Sequence, residues 1–423
     1  MEKPTNVTLK PLSMTSTHPN HAWWKVIGLC FTGWALIYAD RTILNPVMPQ
    51  IADTFHINNA ELGIISSLFF LAYAIFQIPF GILADKLGKR LMITIGFLIF
   101  GLMTFLSGIV TTFGLFLVVR AIAGIGEGSY YGPQYALSGE AIPLDKLTLG
   151  TAIINSGMAF GSSFGLLLSS YLVLQQHQHW NLPFLIISIP TIIVGLLFMT
   201  LLKEPHHPTS QGISSSKQSL SVKRQLQIIF TNRNLVLTFF LCFCSIYAYF
   251  VVLTWLPQFL EVERGFKGTS VGFISSLVPW ASIPGALIFA NYYDKFSRAK
   301  MFVWILVPIA GLSLLVVGLT QNHLLLMGAL IIYGLSGKLA IDPILVAYIT
   351  KQSDHRYLST TLSAFNFIGM CGSILAPYVT GWLADQFGSM TIGFYLGAGL
   401  LLIGAIGFLF TNYPVNKESQ VEK

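Results

Sequence analysis

The sequence predicts an all-α membrane protein whose twelve transmembrane helices form two six-helix, pseudo-symmetric bundles. Three observations point there. The 423-residue chain is 54% hydrophobic and only 10% charged, with a mean hydropathy of +0.68, which excludes an ordinary soluble globule. Apolar stretches long enough to cross a bilayer recur twelve times along it. The basic residues alternate with them: of 24 Lys and Arg, 19 fall in the tails or in loops after even-numbered helices, and only Arg264 and Lys267 fall in the opposite set. The positive-inside rule therefore puts both termini in the cytoplasm. The pI near 9.1 reflects that orientation, and no nucleic-acid partner is expected.

Residues 1–23 are polar, carry Pro4, Pro11 and Pro19, and read as a cytoplasmic tail. The apolar run that follows is too long for a signal-peptide core, so the first helix is expected to be its own insertion signal. The N-terminal bundle, 24–202, holds helices at about 24–51, 60–83, 91–110, 113–137, 148–174 and 183–202. Residues 203–234, with Pro205, Pro208, a Ser214–Ser216 tract and five basic residues, read as a cytoplasmic linker. The C-terminal bundle, 235–410, holds helices at about 235–260, 270–293, 301–320, 323–348, 358–382 and 391–410. A cytoplasmic tail, 411–423, follows. Cys30, Cys242, Cys244 and Cys371 lie in apolar spans without ligand spacing and read as small buried hydrophobes.

Charges inside the spans need a reason, because each costs about 3 kcal/mol or more on insertion and usually marks a solute or proton path. Three bases, Arg41, Arg120 and Lys338, face three acids, Asp40, Glu127 and Asp342, so the interior is formally neutral. Adjacent Asp40 and Arg41 diverge by about 100° and are not expected to face the same neighbour. Lys338 and Asp342 stand one turn apart and are placed to neutralise each other. If an acid takes up a proton, its basic partner loses a counter-ion and the site attracts an anion, so proton and anion would favour each other's binding. Polar and aromatic side chains able to shape such a site are Tyr38, Tyr73, Gln77, Tyr130, Tyr131, Gln134, Asn155, Tyr247, Trp255, Ser363 and Asn366.

Internal repetition supports two related halves. Asn155 with Gly157-Met158 in the fifth helix matches Asn366 with Gly369-Met370 in the eleventh. Gly81-Ile82-Leu83-Ala84-Asp85-Lys86-Leu87-Gly88-Lys89-Arg90 has a degraded copy in Asp294-Lys295-Phe296-Ser297-Arg298 and a copy without basic residues in Gly381 to Gly388. The loop ending at Arg90 resembles the signature of the major facilitator superfamily. That resemblance gives Gly81, Asp85, Gly88 and Arg90 the role of a conformational latch between helix ends.

Tyr38-x-Asp40-Arg41, Arg120-x6-Glu127-Gly128 and Thr254-Trp255-Leu256-Pro257 are similar to the anion:cation symporter branch of that superfamily. The resemblance implies a proton-coupled symporter of a small organic anion, such as a sugar acid, working by alternating access in a bacterial inner membrane. It assigns Arg41 to the substrate carboxylate, Asp40 and Glu127 to protons, Arg120 to pairing with Glu127, and Tyr38, Tyr73 and Asn366 to the lining. Arg120, Tyr131, Asn155 and Lys338 join the substrate candidates, and Asp342 the proton candidates. A monomer with the proton as its only coupling partner and no cofactor is expected. Lys338 with Asp342 also fits a zwitterion clamp, and Asp40-Arg41 with Gly126-Glu127 is similar to spinster-like lysolipid carriers. A non-transporting sensor would keep the same scaffold. No nucleophile-and-base pair or metal set points to an enzyme.

Overall fold

The computed structural model describes residues 22–143, 146–202, 222–296, 298–353 and 357–412. All regular structure among them is helical. Twelve helices are long and apolar enough to cross a membrane: Trp23–Phe55, Asn59–Leu87, Lys89–Ser107, Phe113–Ala141, Leu149–Gln175, Leu182–Leu201, Arg233–Val262, Thr269–Tyr293, Ala299–Leu319, His323–Gln352, Thr360–Phe387 and Thr391–Leu409. They are numbered below as the first to twelfth span. The first of these spans begins and the last ends on one side of the bundle, here the termini face; the opposite side is the far face. The start of the linker, 203–221, lies outside the described residues, whereas Val222–Thr231 folds as a helix that the Pro- and Ser-rich composition does not predict.

Several spans are interrupted where the sequence weakens the helix. The first turns through a short 3-10 segment, Asn45–Val47, at Pro46, whose ring removes an amide donor. The fourth is two helices, Phe113–Gly128 and Tyr131–Ala141. The fifth widens into a π turn at Ser170–Gln175. The tenth breaks at Gly337 between His323–Ser336 and Lys338–Gln352.

Within each half, glycines let spans touch backbone to backbone. A Cβ added to Gly157, Gly161 or Gly165 of the fifth span would stand 2.4, 2.0 and 2.5 Å from the carbonyl oxygens of Phe31, Ala35 and Ala39 in the first. The repeat of this contact joins the eleventh to the seventh, where a Cβ on Gly372 would meet the Phe243 oxygen at 2.7 Å.

The halves meet through the second and eleventh spans and the fifth and eighth, and their mutual hydrogen bonds gather at the far face. There the Asp385 carboxylate accepts from the amides of Asn59 (3.0 Å) and Ala60 (2.7 Å) and from Asn59 Nδ2 (2.8 Å), capping the opposite half's second span. Gln258 Nε2 donates to Asn59 Oδ1 at 2.9 Å and Asn45 Nδ2 to the Leu253 oxygen at 2.8 Å. At the termini face the links seen among the described residues include two inside one half: Lys89 pairs with Glu140, and Arg90 Nη1 donates to the Leu202 oxygen at 2.8 Å. Among the described residues, the seam between the halves is fastened at the far face.

Candidate functional site

The charged residues of the first and fourth spans form two ion pairs that cross between them. Asp40 is fully buried and accepts from Arg120 Nη1 at 3.1 and 2.9 Å and from Thr104 Oγ1 at 2.9 Å. Arg41 Nε donates to Glu127 Oε2 at 2.7 Å. The expected Arg120–Glu127 pair is thus replaced by two pairs with the first span. The reason is geometric: positions seven apart lie about 10 Å from each other along one helix, so each must find its counter-charge elsewhere. Asp40 and Arg41 do serve the same neighbour, contrary to expectation, because their divergent directions meet it at two levels, two turns apart.

Aromatic rings enclose both guanidinium groups. Arg41 Cζ lies 4.8 Å from the Tyr73 ring centre, 5.0 Å from Tyr38, 5.4 Å from Phe70 and 5.8 Å from Phe69. Arg120 Cζ lies 5.1 Å from Phe69 and 5.6 Å from Phe184. These faces attract a cation while keeping water away. Asp40 and Arg120 are held by two hydrogen bonds to each other and one from Thr104. Arg120 keeps only its Nε without a partner, whereas the other pair is open on both members: Arg41 Nη2 and Glu127 Oε1 are buried without a hydrogen-bond partner. Unmet donors and acceptors of this kind are costly and therefore informative. A small hollow lined by Ile65, Ser66 and Phe70 adjoins the two arginines. Chemically, the arrangement offers a buried cation with a free donor beside a carboxylate with a free oxygen.

The second half contributes Lys338 Nζ, 2.6 Å from Asp342 Oδ2, as the one-turn spacing predicts. Tyr249, on the seventh span, lies 5.8 Å from Lys338 Nζ and within electrostatic reach of Arg41 and Tyr38. The charged groups of both halves therefore converge on one aromatic neighbourhood.

Other expected residues divide. Tyr38 and Tyr73 flank Arg41, and Tyr131 is 38% exposed beside them on the fourth span. Asn155 accepts from Tyr135 Oη at 3.0 Å, and Asn366 is half-buried on the eleventh span. Tyr130, Gln134 and Trp255 are packing groups instead of pocket walls. Tyr130 Oη donates to the Cys30 oxygen at 2.8 Å, Gln134 accepts from Trp34 Nε1 at 3.0 Å, and Trp255 Nε1 donates to the Pro377 oxygen at 3.1 Å. Of the residues expected to form a latch, Gly88 takes φ +100° at the turn, a conformation that favours glycine, and Asp85 is exposed. The Asp294 side chain and Ser297, from the degraded second loop, lie outside the described residues.

Sequence reasoning missed Thr104, the rings of Phe69, Phe70 and Phe184, Tyr249, and Asp385. A polar hydroxyl in an apolar span marks Thr104, and the copied loop marks Asp385. Nothing distinguishes the three phenylalanines from lipid-facing ones.

Two bundles fastened at one face around paired, membrane-buried charges define a polytopic transport protein. The sequence profile of the Major Facilitator Superfamily matches residues 30–337 and, in a second overlapping match, 259–423. The chain belongs to that superfamily of membrane transporters. The hexuronate transporter of Bacillus subtilis is 24% identical, with 92% of this chain and 94% of that one covered. The cis,cis-muconate transport protein of Acinetobacter baylyi is 25% identical, with 92% and 95% covered. Among solved structures, a bacterial homologue of the human lysosomal transporter Spinster in an inward-facing, unoccupied conformation superposes with a TM-score of 0.76. It shares 16% identity, with 93% of this chain and 96% of that one covered, a likeness of fold.

Proposed function

We propose that the chain is a secondary active transporter that carries a small organic anion together with a proton by alternating access. It resides in a bacterial inner membrane with both termini in the cytoplasm, so the termini face is the cytoplasmic one. The observation that carries the reading is the incomplete Arg41–Glu127 pair: a buried guanidinium donor without an acceptor, beside a carboxylate with an oxygen to spare. A carboxylate of the cargo takes the free Nη2 donor, as guanidinium geometry favours. With all six charges of the three pairs ionised the site is neutral, so the anion leaves it at minus one. A proton on Glu127 restores neutrality, so each ligand favours the other. Asp40, engaged by Arg120 and Thr104, is a further proton candidate of the same site. Tyr38, Tyr73, Tyr131, Asn155 and Asn366 shape the lining.

Alternation requires the far-face fastening at Asp385 to release while the termini face closes. Closure is the state in which the Gly81–Arg90 loop, through Asp85, acts as the latch. Relatives named for hexuronate and cis,cis-muconate transport support an organic acid as cargo.

The test is uptake by proteoliposomes holding the whole chain, with a panel of labelled organic acids and with or without an inside-alkaline pH gradient. Gradient-driven accumulation that vanishes in Arg41→Gln is the expected result. Equal uptake with and without the gradient would refute the coupling, and binding without flux would refute transport.

A further inference from the structure

One charged pair has no task in the reading above. Lys338 and Asp342 are the most accessible of the three pairs, with side chains 18% and 24% exposed against 5% or less in the others. Their position is also unusual. The tenth span breaks at Gly337, where ψ is −152°, and a second helix starts at Lys338. A Cβ at Gly337 would stand 2.6 Å from the Tyr333 oxygen, so the break needs glycine. Ala340 is the first residue whose amide bonds back, to the Gly337 oxygen at 3.1 Å. The amides of Lys338 and Leu339 thus form the open, positive first turn of a half-helix, in the middle of a span. Broken helices at membrane depth persist where they line a cavity, and their N-termini suit anionic groups. Across the seam, Tyr38 lies 5.0 Å from Arg41 Cζ and within electrostatic reach of Lys338.

We infer, resting on the anion-transport reading, that Lys338 with this open turn is a second anion subsite and that the cargo is a dianion. One acidic group takes Arg41 and the other takes Lys338. The charge count closes: two negative charges arrive, and Glu127 and Asp342 each take one proton. An ammonium group fits the second subsite poorly. Lys338 and the positive helix end repel it, and Asp342 already serves Lys338 at 2.6 Å.

The test is titration calorimetry of the whole purified chain with two matched series: adipate, hexanoate and 6-aminohexanoate, then glucarate and gluconate. The expected result is a dianion binding at least tenfold tighter than its monoanion, with two protons taken up against one. Lys338→Gln should collapse that preference towards unity, and Lys338→Arg should restore it. Asp342→Asn, which keeps the cation, should keep the preference and lower the proton count from two to one. Tighter binding of 6-aminohexanoate, equal affinity for mono- and dianion, or a Lys338→Gln loss shared equally by both would overturn the dianion subsite while leaving the anion reading standing. No binding by any probe overturns both.

Discussion

Replacing Glu127 by Gln removes one charge and almost no volume from the centre of the site. In the native protein the Arg41 and Glu127 side chains are 5% and 0% exposed and meet at 2.7 Å. At an effective dielectric of about 20, two unit charges at that distance attract by roughly 6 kcal/mol. Desolvation offsets part of this, and leaving a buried charge without its partner typically costs about 3–5 kcal/mol. The variant should therefore be destabilised when empty and should gain more stability from an anion than the native protein does, because the anion supplies the missing counter-charge. It also mimics the protonated carboxyl permanently, so it can exchange one anion for another but cannot harvest a gradient. A gradient of one pH unit is worth about 1.4 kcal/mol per proton, or about tenfold accumulation of a monoanion. Proteoliposomes with the native chain should reach that ratio, and Glu127→Gln should stay near unity while counterflow continues. Tenfold accumulation by the variant, or loss of counterflow together with accumulation, would refute the assignment of the proton to Glu127.

Asp40→Asn leaves Arg120, packed among rings, without its counter-charge. It should lose about 3–5 kcal/mol of stability, read by thermal unfolding, whereas Thr104→Val should lose only about 1 kcal/mol. Asp385→Ala removes three hydrogen bonds that fasten the far face. Far-face labelling of a cysteine introduced at Ser66 should rise about tenfold, consistent with a net loss of about 1–2 kcal/mol; unchanged labelling would mean that the clamp does not hold the closed state. Gly161→Val forces side-chain atoms towards the Ala35 oxygen, which already stands 2.0 Å from an ideal Cβ. It should cost about 1–3 kcal/mol or more, read as a lowered unfolding temperature.

The helix count, the alternation of basic loops and the identity of the six residues that form the three pairs within the spans were legible in the sequence, because hydropathy and charge act locally. The pairing was not. Arg120 and Glu127 share a helix and look like partners in a linear reading, yet their partners Asp40 and Arg41 come from a span some eighty residues away. Only the crossing of two spans decides that. Gly337 is one glycine among 38, and its break emerges from the backbone it turns against. Asp385 stood out as a copied loop, but its hold on Asn59 joins residues 326 apart and has no period to betray it.

The proposed coupling brings a proton and an anion together at the Arg41–Glu127 pair. Calorimetric titration of a monoanionic ligand into the native chain, in two buffers of different ionisation enthalpy, counts the protons taken up as the anion binds. One proton per monoanion, falling to none in Glu127→Gln, is the predicted result; no proton uptake by the native chain would contradict the central claim.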